Sequence, residues 1–199
     1  MKKRRIIFLL IGVCLICLFA IRVYFVNRDV PSQVVKEYAK GETVPFGNDY
    51  TTSSEQIIDG YTIKILDSEI LSVSNFRKKY HLTEEDLNGQ YAFTEAYYVV
   101  KTQFANVDNQ AGEKMGISLL NLMLVGKNYM VMFSAPPYQK LNPNMPIGGG
   151  FSLRPGTDMT VYITYPIISG NTPDISELRK HPPKLQITAY PTRKLLDIE

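Results

Sequence analysis

The stretch MTVYITY, residues 159–165, decides the fold class because its side chains alternate between two faces. Its first, third, fifth and seventh side chains are apolar and share one face, while two threonines and Tyr162 take the other. A period of two predicts a half-buried β-strand. The same alternation recurs in residues 61–66, 97–105 and 185–189, which predicts three more strands of this kind.

Two further stretches are apolar on both faces, namely residues 117–125 (ISLLNLMLV) and 129–133 (YMVMF). Such runs are typical of strands that are covered on both sides. The connection Gly126-Lys127-Asn128 between them predicts a hairpin. Short pieces at residues 43–46, 70–73 and 151–153 complete a predicted set of about seven to nine strands.

One helical insertion interrupts the strands at residues 75–87, where Thr83 and Asp86 have the spacing of a capping box. No internal repeat of fixed period is visible, which disfavours a propeller or a solenoid. Many strands, turn residues between them and few helices predict a mainly β fold, an antiparallel β-sandwich with a short helical insertion.

Residues 6–26 form an apolar stretch that is interrupted only by Arg22. As a helix it reaches about 30 Å, the thickness of a hydrocarbon core. Arg22 and Tyr24 lie near one end, where an arginine can snorkel and a tyrosine suits the interface. The stretch therefore predicts a transmembrane signal-anchor helix that contacts the lipid bilayer.

A cleaved signal peptide has the same basic start and apolar middle, and a buried helix of a soluble protein is a further alternative. Ala20 lies between Phe19 and Ile21, so a small-x-small cleavage site is not evident. Bulky residues also precede Cys14 and Cys17, which disfavours a lipoprotein. The uncleaved anchor is the preferred interpretation.

The basic residues Lys2, Lys3, Arg4 and Arg5 precede the span, and this asymmetry predicts a cytoplasmic amino terminus. Residues 1–5 are then a cytoplasmic tail and residues 27–41 a juxtamembrane stalk, with a short helix over residues 31–40. Residues 42–199 are expected to form one extracytoplasmic domain at the cell membrane.

The formal net charge of the chain is +3, with 22 basic and 19 acidic residues. Five of the basic residues lie in residues 1–26, so the remainder has 22 − 5 = 17 basic against 19 acidic residues, a charge of −2. A chain without a basic surface outside its anchor is not expected to bind nucleic acid.

Few residues occur in a pattern that is typical of catalysis or of metal binding. Both cysteines lie in the predicted span, and His81 and His181 belong to no metal or catalytic spacing. Neither a nucleophile elbow around Ser118 nor a phosphate loop at the glycine triplet 148–150 is complete. Residues 108–113 carry oxygen ligands but lack the calcium-loop spacing, so an ordinary connection is preferred. We expect no catalysis, cofactor or metal.

Residues 135–150 (APPYQKLNPNMPIGGG) form a long and partly apolar connection. Long loops in compact domains are often functional, so a partner contact is one hypothesis and a packed crossover is the other. The candidate contact residues are Tyr138, Leu141, Met145 and Ile147. The basic triplet 77–79 could contact headgroups or a wall polymer, although a solvated helical face explains it more simply.

Three segments, GYTIKILDSEIL (60–71), YYVVKTQFANVDN (97–109) and LRPGTDMTVYITYPI (153–167), resemble the immunoglobulin-like, telokin-like domains of uncharacterised membrane-tethered proteins of Gram-positive bacteria. The resemblance covers residues 42–191 and implies a fold and an extracytoplasmic location, with no catalytic residues. We expect a noncatalytic binding or structural module at the envelope with an unknown partner or ligand. The alternative is an accessory, immunity or sensor subunit of a membrane transporter complex.

Overall fold

The computed structural model describes residues 2–28, 30, 32–51, 57–87, 93–112 and 116–199, without the side chains of residues 2, 3, 5 and 9. The side chains of Lys2, Lys3 and Arg5, residue 31 of the predicted helix and residue 113 of the predicted connection therefore lie outside the described part. The chain divides into two compact units, Met1–Ser32 and Gln33–Glu199.

The first unit is the helix α1, Lys2–Arg28. Residues Ile6–Arg28 are long and apolar enough to cross a membrane, since 23 residues span about 35 Å. None of the described side chains of this stretch is buried, and Arg4, Arg22 and Tyr24 are exposed as well. The predicted apolar helix is present.

The second unit is mainly β. Its described strands are β1 Val34–Tyr38, β2 Thr43–Pro45, β3 Tyr61–Ser72, β4 Thr94–Asn106, β5 Ile117–Ser118, β6 Met123–Val125, β7 Met130–Val131, β8 Gly150–Phe151, β9 Thr157–Ile168, β10 Lys184–Gln186 and β11 Thr192–Asp197. Its described helices are α2 Val73–Tyr80, α3 Ala135–Leu141 and α4 Ile175–Lys180, with 3₁₀ turns at Glu85–Leu87 and Leu119–Asn121.

The strands β2, β3, β4 and β9 form an antiparallel sheet in that order. The alternation predicted from the sequence holds, because Ile63, Val100 and Ile163 point to the buried face. The predicted strands at 61–66 and 70–73 are parts of the single strand β3, except that Val73 begins α2. The β3–β4 ladder has an irregularity between Ile65 and Asp67.

The second sheet has the order β1, β11, β10, β6, β7. The predicted β6–β7 hairpin is confirmed, and Gly126 N donates to Tyr129 O across its turn at 3.0 Å. The helix predicted over residues 31–40 is wrong: Val34–Tyr38 is a strand that pairs in parallel with Thr192–Asp197. Adjacent valines suit a strand, and the ladder with β11 satisfies backbone groups that a helix would have bonded internally.

The single strand predicted over residues 117–125 is also wrong. It is divided into β5, a 3₁₀ turn and β6, because Ile117 pairs with Phe151 of β8 whereas Leu124 pairs with Leu185 of β10. Leu119 N bonds to Gly149 O at the break. The chain thus changes partners within one apolar run, which residue type alone does not reveal.

The predicted insertion at residues 75–87 is α2 followed by a 3₁₀ turn, and His81, the residue after α2, has the left-handed conformation. The predicted capping box is confirmed: Thr83 N donates to Asp86 Oδ2 at 2.7 Å, and Asp86 N donates to Thr83 Oγ1 at 3.2 Å. Lys140 of α3 lies 2.8 Å from the same carboxylate. A hydrogen bond from Lys140, followed by those from Thr83, lowers the pKa of Asp86 to about 2.

The buried apolar side chains form two clusters. The larger one takes residues from both sheets, such as Ile63 and Tyr165 from the first and Leu185 and Leu196 from the second. The smaller one lies on the opposite face of the first sheet, where α2 packs through Phe76. Its ring stacks on Tyr97 with a centroid separation of 4.5 Å. Both faces of the first sheet therefore carry buried apolar side chains, more of them on the face shared with the second sheet.

Candidate functional site

The four residues predicted as partner contacts occupy different environments. Tyr138 of α3 is fully buried, 4.9 Å from the Phe133 ring, and burial raises its pKa to about 12. Leu141 packs against the smaller cluster and Met145 against the larger one. Of the four, only Ile147 is exposed, at 68%. A contact through residues 135–150 stays a prediction, for which Ile147 is the available side chain.

The same segment covers the outer edge of β9. Asn142, which is buried, donates from Nδ2 to Tyr162 O at 2.8 Å and accepts from Tyr162 N at 2.9 Å. Its side-chain amide thus binds one residue of the edge as a neighbouring strand would. Ser134 N donates to Thr164 O at 2.8 Å two residues further along. Backbone N–H and C=O groups at the edge of β9 thus have hydrogen-bond partners although no strand pairs with this edge.

A polar cavity of about 190 Å³ lies on the outer face of the first sheet, between β3, β4, β9 and α2. We call it the outer pocket. Its lining residues with polar side chains are Asp67, Ser68, Glu69, Lys79, Tyr80, Lys101 and Tyr162. The cross-strand register positions three of them, because Asp67 pairs with Lys101 and Lys101 pairs with Tyr162.

Glu69 accepts hydrogen bonds from two other lining residues of the outer pocket. Lys79 Nζ lies 2.6 Å from its Oε1, and Tyr80 Oη donates to the same oxygen at 2.7 Å. Burial, followed by the hydrogen bond to Glu69, raises the pKa of Tyr80. Tyr80 therefore remains a neutral hydrogen-bond donor at physiological pH.

Lys101 is the cation that lacks a carboxylate partner among the described residues of the pocket. Its Nζ lies 5.6 Å from the centroid of the Tyr162 ring, a cation–π distance. The side chain is half-buried. The outer pocket therefore combines a lysine beside an aromatic ring with the carboxylates of Asp67 and Glu69, an arrangement that suits a small polar group.

A second polar cluster ties the two sheets together around Lys194, whose side chain is 4% exposed. Its Nζ donates to Phe46 O at 2.6 Å and to Pro45 O at 3.1 Å, and lies 2.8 Å from Asp49 Oδ1. Burial alone would raise the pKa of Asp49, but hydrogen bonds from Lys194 and Lys36 and their charges lower it to about 2. We interpret this cluster as structural because its donors and acceptors are used internally.

The remaining sequence candidates do not assemble a reactive site. His81 and His181 are exposed and lie on separate elements, at the ends of α2 and α4. Among the described residues, no three histidine, cysteine, aspartate or glutamate side chains form a group that could hold a metal ion. In the basic triplet, Arg77 lies 3.9 Å from Glu84 and Lys79 pairs with Glu69, as expected for a solvated helical face.

Sequence reasoning missed the outer pocket and Lys194. The alternation in residues 97–105 places the side chains of Lys101 and the buried Val100 on opposite faces of β4. This pattern indicates that the face with Lys101 is partly polar. Lys194 had no such signal, because the strand TRKLLD was not predicted and a lysine within it is ordinarily exposed.

Two of the quoted motifs meet in space at one end of the first sheet. Asn106, the last residue of β4, donates from Nδ2 to Leu153 O at 2.7 Å and accepts from Asn109 N at 2.7 Å. Gly156 N donates to Asn106 O at 2.8 Å. The strand-ending asparagine thus holds the Leu-x-Pro-Gly turn that introduces β9.

The chain belongs to a protein family described as a domain of unknown function, DUF5028, whose model matches residues 35–194. The match runs from β1 into β11 and leaves α1 outside. No curated protein and no solved structure matches the chain.

Proposed function

We propose that the chain is a single-pass membrane protein that presents an extracytoplasmic, immunoglobulin-like β-sandwich and binds a ligand or partner at the cell envelope without catalysis. The observation that carries the proposal is the apolar surface of Ile6–Arg28, whose described side chains are not buried by protein. An apolar surface of this length is unfavourable in water and favourable in a bilayer.

Charge supports the orientation. Four basic residues precede the span, and the chain after residue 26 carries a charge of −2. Positively charged flanks stay on the cytoplasmic side, so the second unit is extracytoplasmic in this proposal.

Packing supports the sandwich. Inward-facing residues of both sheets contribute to one buried cluster, as in two sheets that pack face to face. The immunoglobulin-like type rests on the three quoted segments, two of which are joined through Asn106 and Leu153.

The pKa shifts of five described residues have structural causes and do not point to a catalytic group. Asp49 and Asp86 have lowered pKa values because they are paired with lysines. Burial raises the pKa of Tyr80, Tyr98 and Tyr165 and keeps them neutral. Catalytic acids and bases are instead shifted towards the working pH. In this proposal the outer pocket is the ligand contact, with Lys101 as its cation.

The proposal is tested by crosslinking in living cells with a photoreactive amino acid at Gln103, two residues from Lys101 on the same face. We expect a discrete crosslinked species that Lys101→Ala weakens. Lys127→Ala is the matched control, because Lys127 is an exposed lysine in the β6–β7 turn. Equal capture in the two variants would contradict a role for the outer pocket.

A further inference from the structure

The charged side chains that line the outer pocket sum to zero. Asp67 and Glu69 contribute two negative charges, and Lys79 and Lys101 contribute two positive charges. A ligand with a single charge would lie beside one of these like charges in a partly desolvated site, which is unfavourable. The balance therefore favours a ligand that is neutral overall.

Glu69 and Lys79 are committed to each other. Lys79 Nζ lies 2.6 Å from Glu69 Oε1 and 2.7 Å from its Oε2, and Tyr80 Oη donates to Oε1 at 2.7 Å. These contacts join α2 to β3 and form one wall of the pocket. The charges that remain for a ligand are those of Asp67 and Lys101.

Asp67 and Lys101 are direct partners in the β3–β4 ladder and line the same pocket. Both side chains are described, and no ion pair joins them. Each contacts a different group instead: Lys101 Nζ lies 5.6 Å from the centroid of the Tyr162 ring, and Asp67 Oδ1 lies 3.5 Å from Lys40 Nζ. Two opposite charges thus line one cavity without neutralising each other.

The existing partner of Asp67 is easily replaced. The Asp67 side chain is 73% exposed, and ion pairs of exposed side chains contribute little to stability. An ammonium group in the pocket can therefore take the place of Lys40 at small cost.

The pocket also has an apolar part. Val99, which is 2% exposed, lies two residues from Lys101 on the same face of β4, and the rings of Tyr80 and Tyr162 are 6.4 Å apart. The cavity of about 190 Å³ is smaller than the pockets of roughly 300–1,000 Å³ that hold drug-sized ligands. It has room for a small charged group with a short aliphatic side chain.

We propose that the outer pocket binds a small α-amino acid as a zwitterion, with its carboxylate on Lys101 Nζ, its ammonium group on the Asp67 carboxylate and its side chain towards Val99. This inference rests on the proposed role of the outer pocket as a ligand contact. The two charges of an α-amino acid are held close together at one carbon atom. They match two opposite charges whose Cβ atoms are about 4.5–5.5 Å apart across a ladder.

The test uses the full chain in a nonionic detergent, with ¹³C-labelled valine methyl groups observed by NMR. Val99 reports on the outer pocket, and Val125 of β6 reports on the second sheet, away from the pocket. The probes are L-alanine, isobutyrate, isopropylammonium and glucose. Isobutyrate has a methyl group in place of the ammonium group of alanine, and isopropylammonium has one in place of its carboxylate, so these three probes differ mainly in charge.

We expect L-alanine to shift the Val99 methyl resonances and to leave those of Val125 unchanged. It should bind at least about fivefold more tightly than isobutyrate or isopropylammonium, because one partly exposed ion pair contributes up to about this factor. Lys101→Met and Asp67→Asn should each weaken L-alanine binding by about fivefold, with native Val125 resonances as evidence of folding. Lys64→Met is the matched control, because Lys64 is on β3, pairs with Gln103 and lies outside the pocket lining. It should bind L-alanine like the native protein.

Equal affinity for L-alanine and isobutyrate would identify an anion site, and binding of glucose alone would identify a site for neutral polyols. Either result, or no shift of the Val99 resonances with any probe, would overturn the inference. The proposed function is judged separately by the crosslinking at Gln103. A crosslinked species that depends on Lys101, in a protein that does not bind L-alanine, would refute the zwitterion and retain the outer pocket as a ligand contact.

Discussion

Replacing Lys194 with methionine removes a buried ammonium group while keeping most of the aliphatic side chain. In the native protein the group donates to Phe46 O at 2.6 Å and to Pro45 O at 3.1 Å, and pairs with Asp49 at 2.8 Å. These contacts join β11 to Pro45 at the end of β2 and to Phe46 after it, so the substitution removes a link between elements that are distant in the sequence.

The expected change in the free energy of unfolding is the difference between the lost contacts and the relieved desolvation of the ammonium group. Two hydrogen bonds from a charged donor contribute about 4 kcal/mol together, and the pair with the partly exposed Asp49 contributes about 1 kcal/mol. Relief of the desolvation of the ammonium group offsets about 2 kcal/mol of this. We expect Lys194→Met to lower the free energy of unfolding by about 3 kcal/mol, which corresponds to a decrease in Tm of about 9 °C for a unit of this size.

The assay is urea unfolding of the full chain in a nonionic detergent, followed by circular dichroism. Lys36→Met is the control, since Lys36 pairs with the same carboxylate but its side chain is 47% exposed. That variant should lose at most about 1 kcal/mol. A Lys194→Met variant within about 0.5 kcal/mol of the native protein would refute the structural role of the buried amine.

Three further predictions use the same unfolding assay. Asn142→Ala should cost about 2 kcal/mol, because both backbone groups of one β9 edge residue lose their partner; a cost under about 0.5 kcal/mol would contradict this. The lowered pKa of Asp49 predicts stability that is present above pH 4 and lost as the pH falls from about 4 to about 2. Because the Asp49 side chain is 35% exposed, solvent screening reduces this loss of stability to about 1 kcal/mol. If Asp49→Asn had the same dependence of stability on pH as the native protein, the prediction would be wrong. Gly60→Ala should cost about 3 kcal/mol, because φ is +86° and a Cβ would lie 2.7 Å from the backbone nitrogen of Asn109. Gly156→Ala, with φ of +74° and open space, should cost about 1 kcal/mol, and equal costs would remove the steric argument.

The long antiparallel strands could be predicted because one of their faces is buried. Residues 61–66 and 159–165 alternate for that reason, and Ile63 and Ile163 are both fully buried. The capping box of Thr83 and Asp86 and the turn at Gly126 could also be predicted, since their signals lie within a few residues.

The first strand could not be predicted in this way. Val34, Val35 and Tyr38 fit one side of a helix as well as they fit a strand, and local pattern does not choose between them. The choice is made by Thr192–Asp197, whose free edge pairs with Val34–Tyr38. The split of residues 117–125 has the same origin, because two different partner strands compete for one apolar run.

The outer pocket could not be predicted either, because its residues are distant in the sequence and meet only in the fold. Lys101 and Tyr162 are neighbours only through the β4–β9 register, and Glu69 and Tyr80 meet only because α2 folds back over β3. Each residue alone reads as part of a solvated face. Tyr138 and Met145 were candidates for a partner contact because they are apolar side chains in a long connection. In the structure they pack in or against the core.

The most direct test of the central claim is protease accessibility of the second unit on intact cells, with a tag after Glu199. The proposed topology predicts that added protease removes the tag without lysis, while a cytoplasmic control protein stays intact. Protection of the tag on intact cells, with cleavage only after lysis, would contradict the proposed orientation.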